Sequence, residues 1–118
     1  RYGQTKLANI LFTLELRRRT QGSGLRAFAI DPGLVNTDIG GKEPGLISQR
    51  FWARRSQKGM PPEVPAETVL YLSSDPAVLD HEAIYWRDSH PKQPGSHALQ
   101  PDLAQALWVE SEKLCGIT

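Results

Sequence analysis

Leu7, Ile10, Leu11 and Leu14 recur at the i, i+3, i+4, i+7 spacing of one helix face, and Ala8, Phe12 and Leu16 make a second apolar patch on the far side. A helix that is apolar on two sides cannot lie alone on a surface. It needs its own sheet on one side and, on the other, a second cover from another subunit or a further part of the chain. Association into a homo-oligomer through this helix is one expectation. Gly3 falls on the first side, where a backbone could approach closely. Arg17, Arg18 and Arg19 close the last turn, read here as a solvated cationic cap at the negative end of the helix dipole.

Gln21-Gly22-Ser23-Gly24 then reads as a stop and turn, with glycine supplying the left-handed backbone that ends helices. Leu25-Arg26-Ala27-Phe28-Ala29-Ile30 is nearly continuous in apolar character, as in a parallel strand covered on both faces. Helix, tight turn and buried strand together predict an α/β layer fold. The strand runs into Asp31-Pro32-Gly33-Leu34-Val35-Asn36-Thr37-Asp38. In open parallel sheets, ligands bind beyond the carboxyl ends of strands, which is where this loop falls. Pro32 fixes φ, Gly33 lets a ligand near the backbone, and Thr37 offers a hydroxyl that donates and accepts; by itself, though, Asp-Pro-Gly is ordinary turn chemistry.

Tyr2 and Lys6 lie four apart at the head of the helix, so their side chains stack on one face about 6 Å apart. A free phenol releases its proton near pH ~10, and a neighbouring cation favours the phenolate, making Tyr2 a candidate general acid/base. Tyr2, Lys6, Asn9 and Thr13 form a polar strip beside the apolar stripe. Two common residues at this spacing say little without context.

The context is the second motif. With Tyr2-x-x-x-Lys6, the continuation Leu7-Ala8-Asn9-Ile10-Leu11-Phe12, and Pro32-Gly33-x-Val35-x-Thr37 after one intervening strand, the chain resembles the short-chain dehydrogenase/reductase family. The wording Lys6-Leu7-Ala8-Asn9 and the spacing of the tail look most like its retinol dehydrogenase-like branch. The resemblance implies a fold class: the C-terminal portion of a Rossmann-type, doubly wound parallel sheet, in the order helix, strand, helix, strand, helix. It implies hydride transfer between NADP or NAD and a lipophilic alcohol or carbonyl such as retinol/retinal or a steroid. Tyr2 would be the catalytic acid/base, and Lys6 would depress its pKa and hydrogen-bond the nicotinamide ribose. The backbone at Pro32, Gly33 and Val35 would line the nicotinamide, and Thr37 would meet its carboxamide or phosphate side. Asn9 and Asp38 carry no comparable expectation. Thr5 stands where many family members have serine, and Ala83 near where they have glycine.

The glycine-rich turn that holds dinucleotide phosphates in that family has no counterpart in these 118 residues, and neither does its upstream catalytic serine. The chain opens on arginine within a helical pattern that no N-cap residue precedes. The expectation is a single partial domain that lacks the dinucleotide-binding N-terminal half, has that half as its natural partner, and shows no useful turnover alone. The alternative is a truncated, non-catalytic product acting only through protein–protein association. The family's choice between NAD and NADP rests on an acidic or basic residue outside this sequence.

From Ile39 to Pro62 regular periodicity is lost, and by position this stretch resembles the family's substrate lid. Phe51, Trp52 and Met60 would make its apolar wall, with glycines permitting closure; the competing reading is a surface loop with a short amphipathic helix. A helix is expected from Pro62, with Glu63 and Glu67 near its positive end, apolar Val69, Leu70 and Leu72 after them, and a stop at Ser73-Ser74-Asp75-Pro76. Ala83-Ile84-Tyr85-Trp86 predicts a second strand, parallel to the first. His81 is expected to be exposed, and His90 and His97 to lie in a Pro/Gly loop, without the partners that a metal site needs. Asp102 to about Leu114 predicts a tail helix stopped by Gly116, with Trp108 packed onto the core. A net charge of +1 gives no strong field toward nucleic acid, and the basic residues of the lid are read as a solvated face. Cys115, the single cysteine, excludes an internal disulfide and is compatible with a reducing compartment; localisation stays open.

Overall fold

The computed structural model describes residues 2–35 and 59–117, with Tyr2 as backbone only. Helix α1 spans Tyr2–Arg19, β1 Ala29–Ile30, α2 Glu63–Ser74, β2 Tyr85–Arg87, β3 His90–Pro91 and α3 Pro101–Cys115, with short 3-10 turns at Pro76–Asp80 and Ser96–Leu99. The three strands form one sheet in the order β1-β2-β3. β1 and β2 are parallel, pairing Ala29 with Tyr85 and Ile30 with Trp86, as expected for strands joined by a crossover that carries a helix. β2 and β3 are antiparallel, so the sheet is mixed and not the wholly parallel one the sequence suggested. β3 falls where a Pro/Gly loop was expected. The Asp88-Ser89 turn folds it back onto β2, and two strand residues are too few for a hydrophobic alternation to announce.

The strands are shorter than their apolar runs. Leu25 is half exposed and Arg26 exposed, and only Ala29–Ile30 make the ladder, through Ala29 N–H to the Ile84 carbonyl (2.7 Å) and Asp31 N–H to that of Trp86 (2.8 Å). Gly22 and Gly24 take the left-handed backbone expected after α1 (φ 82° and 80°). The core gathers Leu72, Val78 and Trp86, with Phe28, Ile30, Tyr71 and Ala83 packed against it. Trp86 is almost wholly buried, its ring meeting those of Phe28, Tyr71 and His81. On α2 the buried residues are Leu72 and Thr68, while apolar Val69 and Leu70 are exposed.

α1 packs on β1 and, along its other side, on α3. Phe12 stacks on Trp108 at 5.2 Å between ring centroids, so the second apolar side of α1 is met within the chain, by the tail helix. Leu11 is the stripe's fully buried member, and Thr13, placed in the polar strip by sequence, is buried with its hydroxyl donating to the Asn9 carbonyl (2.8 Å). The three arginines do more than cap the helix. Arg17 donates to the carbonyls of His81, Glu82 and Ala83 (3.1, 2.9 and 3.0 Å), which ties the end of α1 to the segment entering β2. Arg18 and Arg19 grip Glu15, which is buried to 1% exposure. α3 ends at Gly116 with φ 66°, as its glycine stop predicted. Among the described residues, no helix is long and apolar enough to cross a membrane.

Candidate functional site

The parallel pairing of β1 and β2 sends both chain directions to the same edge, where the Asp31–Leu34 loop and the exposed flank of α1 enclose a cleft of about 710 Å³. Lys6, Asn9, Ile10, Phe12 and Thr13 line it from α1; Phe28 to Leu34 line it from β1 and its loop; Tyr85 and Arg87 line it from β2. The strand's two-residue alternation explains the last pair: Trp86 goes to the core, and its neighbours on either side go to the cleft.

Of the residues singled out from sequence, Lys6, Pro32 and Gly33 meet in this cleft. Tyr2 lies one helical turn before Lys6 on α1. Val35 pairs with Met60 in an isolated parallel bridge, with Met60 N–H on the Leu34 carbonyl at 2.8 Å, so Met60 is bound to the loop that forms the cleft wall. Thr37, Asp38, Phe51 and Trp52 lie outside the described residues, as does the lid from residue 39 to 58.

Gly33 takes φ 67°, but what approaches its bare backbone is protein. A Cβ there would lie 3.0 Å from Arg87 Nη2 and 3.2 Å from Met60 Cε. Asp31 is the other centre of the site. Its Oδ1 accepts the Gly33 N–H (2.9 Å), its Oδ2 accepts from Lys92 Nζ, and Arg87 Nη1 stands 3.5 Å from Oδ2. Burial alone would raise the Asp31 pKa. The Lys92 hydrogen bond, the Gly33 N–H and the charges of Lys92 and Arg87 outweigh it and hold the carboxyl below its ordinary range. Tyr85 is pushed the other way, upward, first by burial and then by the Asp31 charge, so it favours the neutral phenol. Lys92 Nζ also sits 5.6 Å over the Tyr85 ring.

Asn9, Asp31, Tyr85 and Arg87 also line the cleft and Lys92 pairs with Asp31 beside it, and sequence reasoning assigned none of them a role. Tyr85 and Arg87 were within reach, being two apart on the strand predicted to run beside β1. Lys92 was not, because its placement depends on the hairpin. Among the described residues, no cluster of three His, Cys, Asp or Glu side chains could hold a metal ion.

The chain is similar over 98% of its length to known proteins. It is 33% identical to retinol dehydrogenase 13 of Homo sapiens over 125 residues, 36% of that protein. It is 34% identical to retinol dehydrogenase 14 of Homo sapiens over 122 residues, 35% of its length. With dehydrogenase/reductase SDR family member 13 of Bos taurus the identity is 29% over 122 residues, 31% of the relative. The chain thus spans about a third of the length of the curated relatives it matches. No family model and no solved structure matches it. The likeness to the retinol dehydrogenase-like branch of the short-chain dehydrogenase/reductase family runs over nearly the whole chain.

Proposed function

We propose that this chain supplies the proton-relay and nicotinamide-facing part of an oxidoreductase that moves a hydride between NADP or NAD and a lipophilic alcohol or carbonyl of the retinol/retinal or steroid type. The observation that carries the reading is the shared cleft. Lys6 from α1 and Pro32-Gly33 from the loop beyond β1 line one space, though Pro32 lies 26 positions after Lys6. The names of the relatives, retinol dehydrogenases, support the substrate class.

The donor set suits a nicotinamide riboside. Lys6 and Asn9 offer polar atoms to ribose hydroxyls, while Ile10, Phe28 and Leu34 give a flat ring an apolar wall. Lys6, Pro32, Gly33, Val35 and Thr37 are the residues that would hold the group, which when bound donates or takes up the hydride. The rest is side-chain chemistry. Tyr2 gives its phenolic proton to the substrate oxygen in reduction and takes the hydroxyl proton in oxidation, and the Lys6 charge favours the phenolate. Met60, Phe51 and Trp52 would supply apolar contacts to the body of the substrate.

Tyr2→Phe, made in the longest natural polypeptide that carries this sequence, tests the assignment. Turnover of retinal should fall about a thousandfold, in the range of lost general acid/base catalysis, with NADPH affinity nearly unchanged. Wild-type turnover in that variant rejects Tyr2 as the acid/base.

A further inference from the structure

The turn between β2 and β3 is made by Asp88 and Ser89, both at left-handed backbone angles (φ 49° and 58°) that residues with a Cβ seldom adopt. Such outliers persist only where their surroundings over-determine them. Here the Ser89 N–H donates to Thr68 Oγ1 (2.9 Å), and Thr68 is completely buried on α2. The strained turn is therefore pinned from the core.

What the turn fixes is the spacing of its two arms. Arg87 ends β2 and Lys92 follows β3, its N–H on the Tyr85 carbonyl at 2.8 Å. Both cations converge on one carboxylate oxygen, Asp31 Oδ2, while Oδ1 faces the other way and holds the Gly33 N–H. Asp31 thus joins the hairpin to the backbone of the loop that walls the cleft. Arg87 acts twice, since its guanidinium also lies against the open side of Gly33. The Tyr2, Lys6 and Pro-Gly motifs account for none of this.

We propose that the β2–β3 hairpin is a clamp on the cleft, in which Arg87 and Lys92, acting through Asp31, fix the Pro32-Gly33 backbone at the position from which it meets the nicotinamide. All three are assigned as positioning residues: Asp31 and Arg87 line the cleft, and the role assigned to the trio is its hold on the loop backbone. The inference rests on the cofactor reading given above. The clamp itself can be read with no cofactor present.

Hydrogen exchange at the Gly33 amide, followed by NMR in the intact chain, is that reading. Arg87→Met and Lys92→Met keep apolar side-chain bulk and remove the charge. Each should speed Gly33 exchange about tenfold, as local opening does, while amides of α3 keep their protection. Arg87→Lys should restore most of the protection at Gly33. Unchanged Gly33 exchange in both methionine variants overturns the clamp, and so does an equal rise throughout α3, which would mark general loss of stability. NADPH kinetics in the longest natural polypeptide carrying the sequence then separate the two inferences. A several-fold higher KM for NADPH in Arg87→Met, with kcat little changed and recovery in Arg87→Lys, supports the clamp as a cofactor-positioning device. Faster Gly33 exchange with an unchanged KM keeps the hairpin's hold on the loop and removes the nicotinamide from this cleft.

Discussion

Glu15 and Asp31 are each held by two cations, and they are held in opposite ways. Glu15 is buried to 1% exposure on α1, with Arg18 and Arg19 three and four residues along the same helix, at 2.7 and 2.8 Å. Asp31 is 20% exposed, and its cations come from the far hairpin, Arg87 and Lys92. The first arrangement is local. It needs only a helix, and it secures packing: Arg19 continues over the Trp108 ring at 4.7 Å, where α1 meets α3. The second is non-local and needs the sheet. It stands at the edge of the cleft, which Asp31 and Arg87 line. The same chemical unit, a carboxylate between two cations, is structural at one end of the molecule and positional at the other.

The contrast predicts where each residue matters. Glu15→Ala leaves Arg18 and Arg19 without their carboxylate and opens space beneath them. Because Arg18 is more than half exposed, the loss should be about 2–3 kcal/mol, below that for a fully buried pair, as urea unfolding would measure. A loss near zero would break the claim that this group secures the α1–α3 end. Gly33→Ala comes next. The residue must keep a left-handed φ of 67° and displace Arg87 Nη2 and Met60 Cε, which should cost about 1–2 kcal/mol. Its effect should be concentrated in the cleft, read as altered NMR shifts at Asp31, Arg87 and Lys92, with those of α3 unmoved.

Acid sharpens the comparison further. The hydrogen bond from Arg18, working against burial and aided by Arg19, lowers the Glu15 pKa from 4.5 to about 2. Its folded-state value lies below the unfolded one, so its contribution is fully present above pH 4.5 and lost as pH falls toward 2. Discounted for the solvent around Arg18, that contribution is about 1–2 kcal/mol. Asp31 is lowered from 3.8, so its contribution has the same sign and disappears below that pH. It should be the smaller, because Arg87 and Lys92 are 38% and 39% exposed. Urea unfolding at pH 7, 4.5 and 3 of wild type, Glu15→Gln and Asp31→Asn would separate them. A steeper acid dependence removed by Asp31→Asn than by Glu15→Gln reverses the ranking.

Much of the fold was legible wherever the signal is local. The extents of α2 and α3 and the glycine stops followed from caps, breakers and periodicity, and the parallel relation of the two apolar runs from the crossover rule. Strand lengths did not, because a hydrophobic run states what could be covered and the neighbouring elements decide what is. Leu25 is apolar and half exposed, while Thr13 and Thr68 are polar and buried. At the candidate site, Lys6 and Pro32-Gly33 were singled out by motif, and they line one cleft. Asp31, Tyr85, Arg87 and Lys92 were not, since no spacing in the chain relates Asp31 to a lysine 61 residues later.

The sequence by itself determined the helices, the turns and the residue types able to move a proton, since each depends on neighbours within about one turn or one strand step. Tertiary structure alone decided that the sheet is mixed, that the tail helix covers α1, and that a strained hairpin brings two cations onto Asp31. Those are pairings between distant segments. Their free energy comes from shared burial and converging charge, which exist only once the chain has closed on itself.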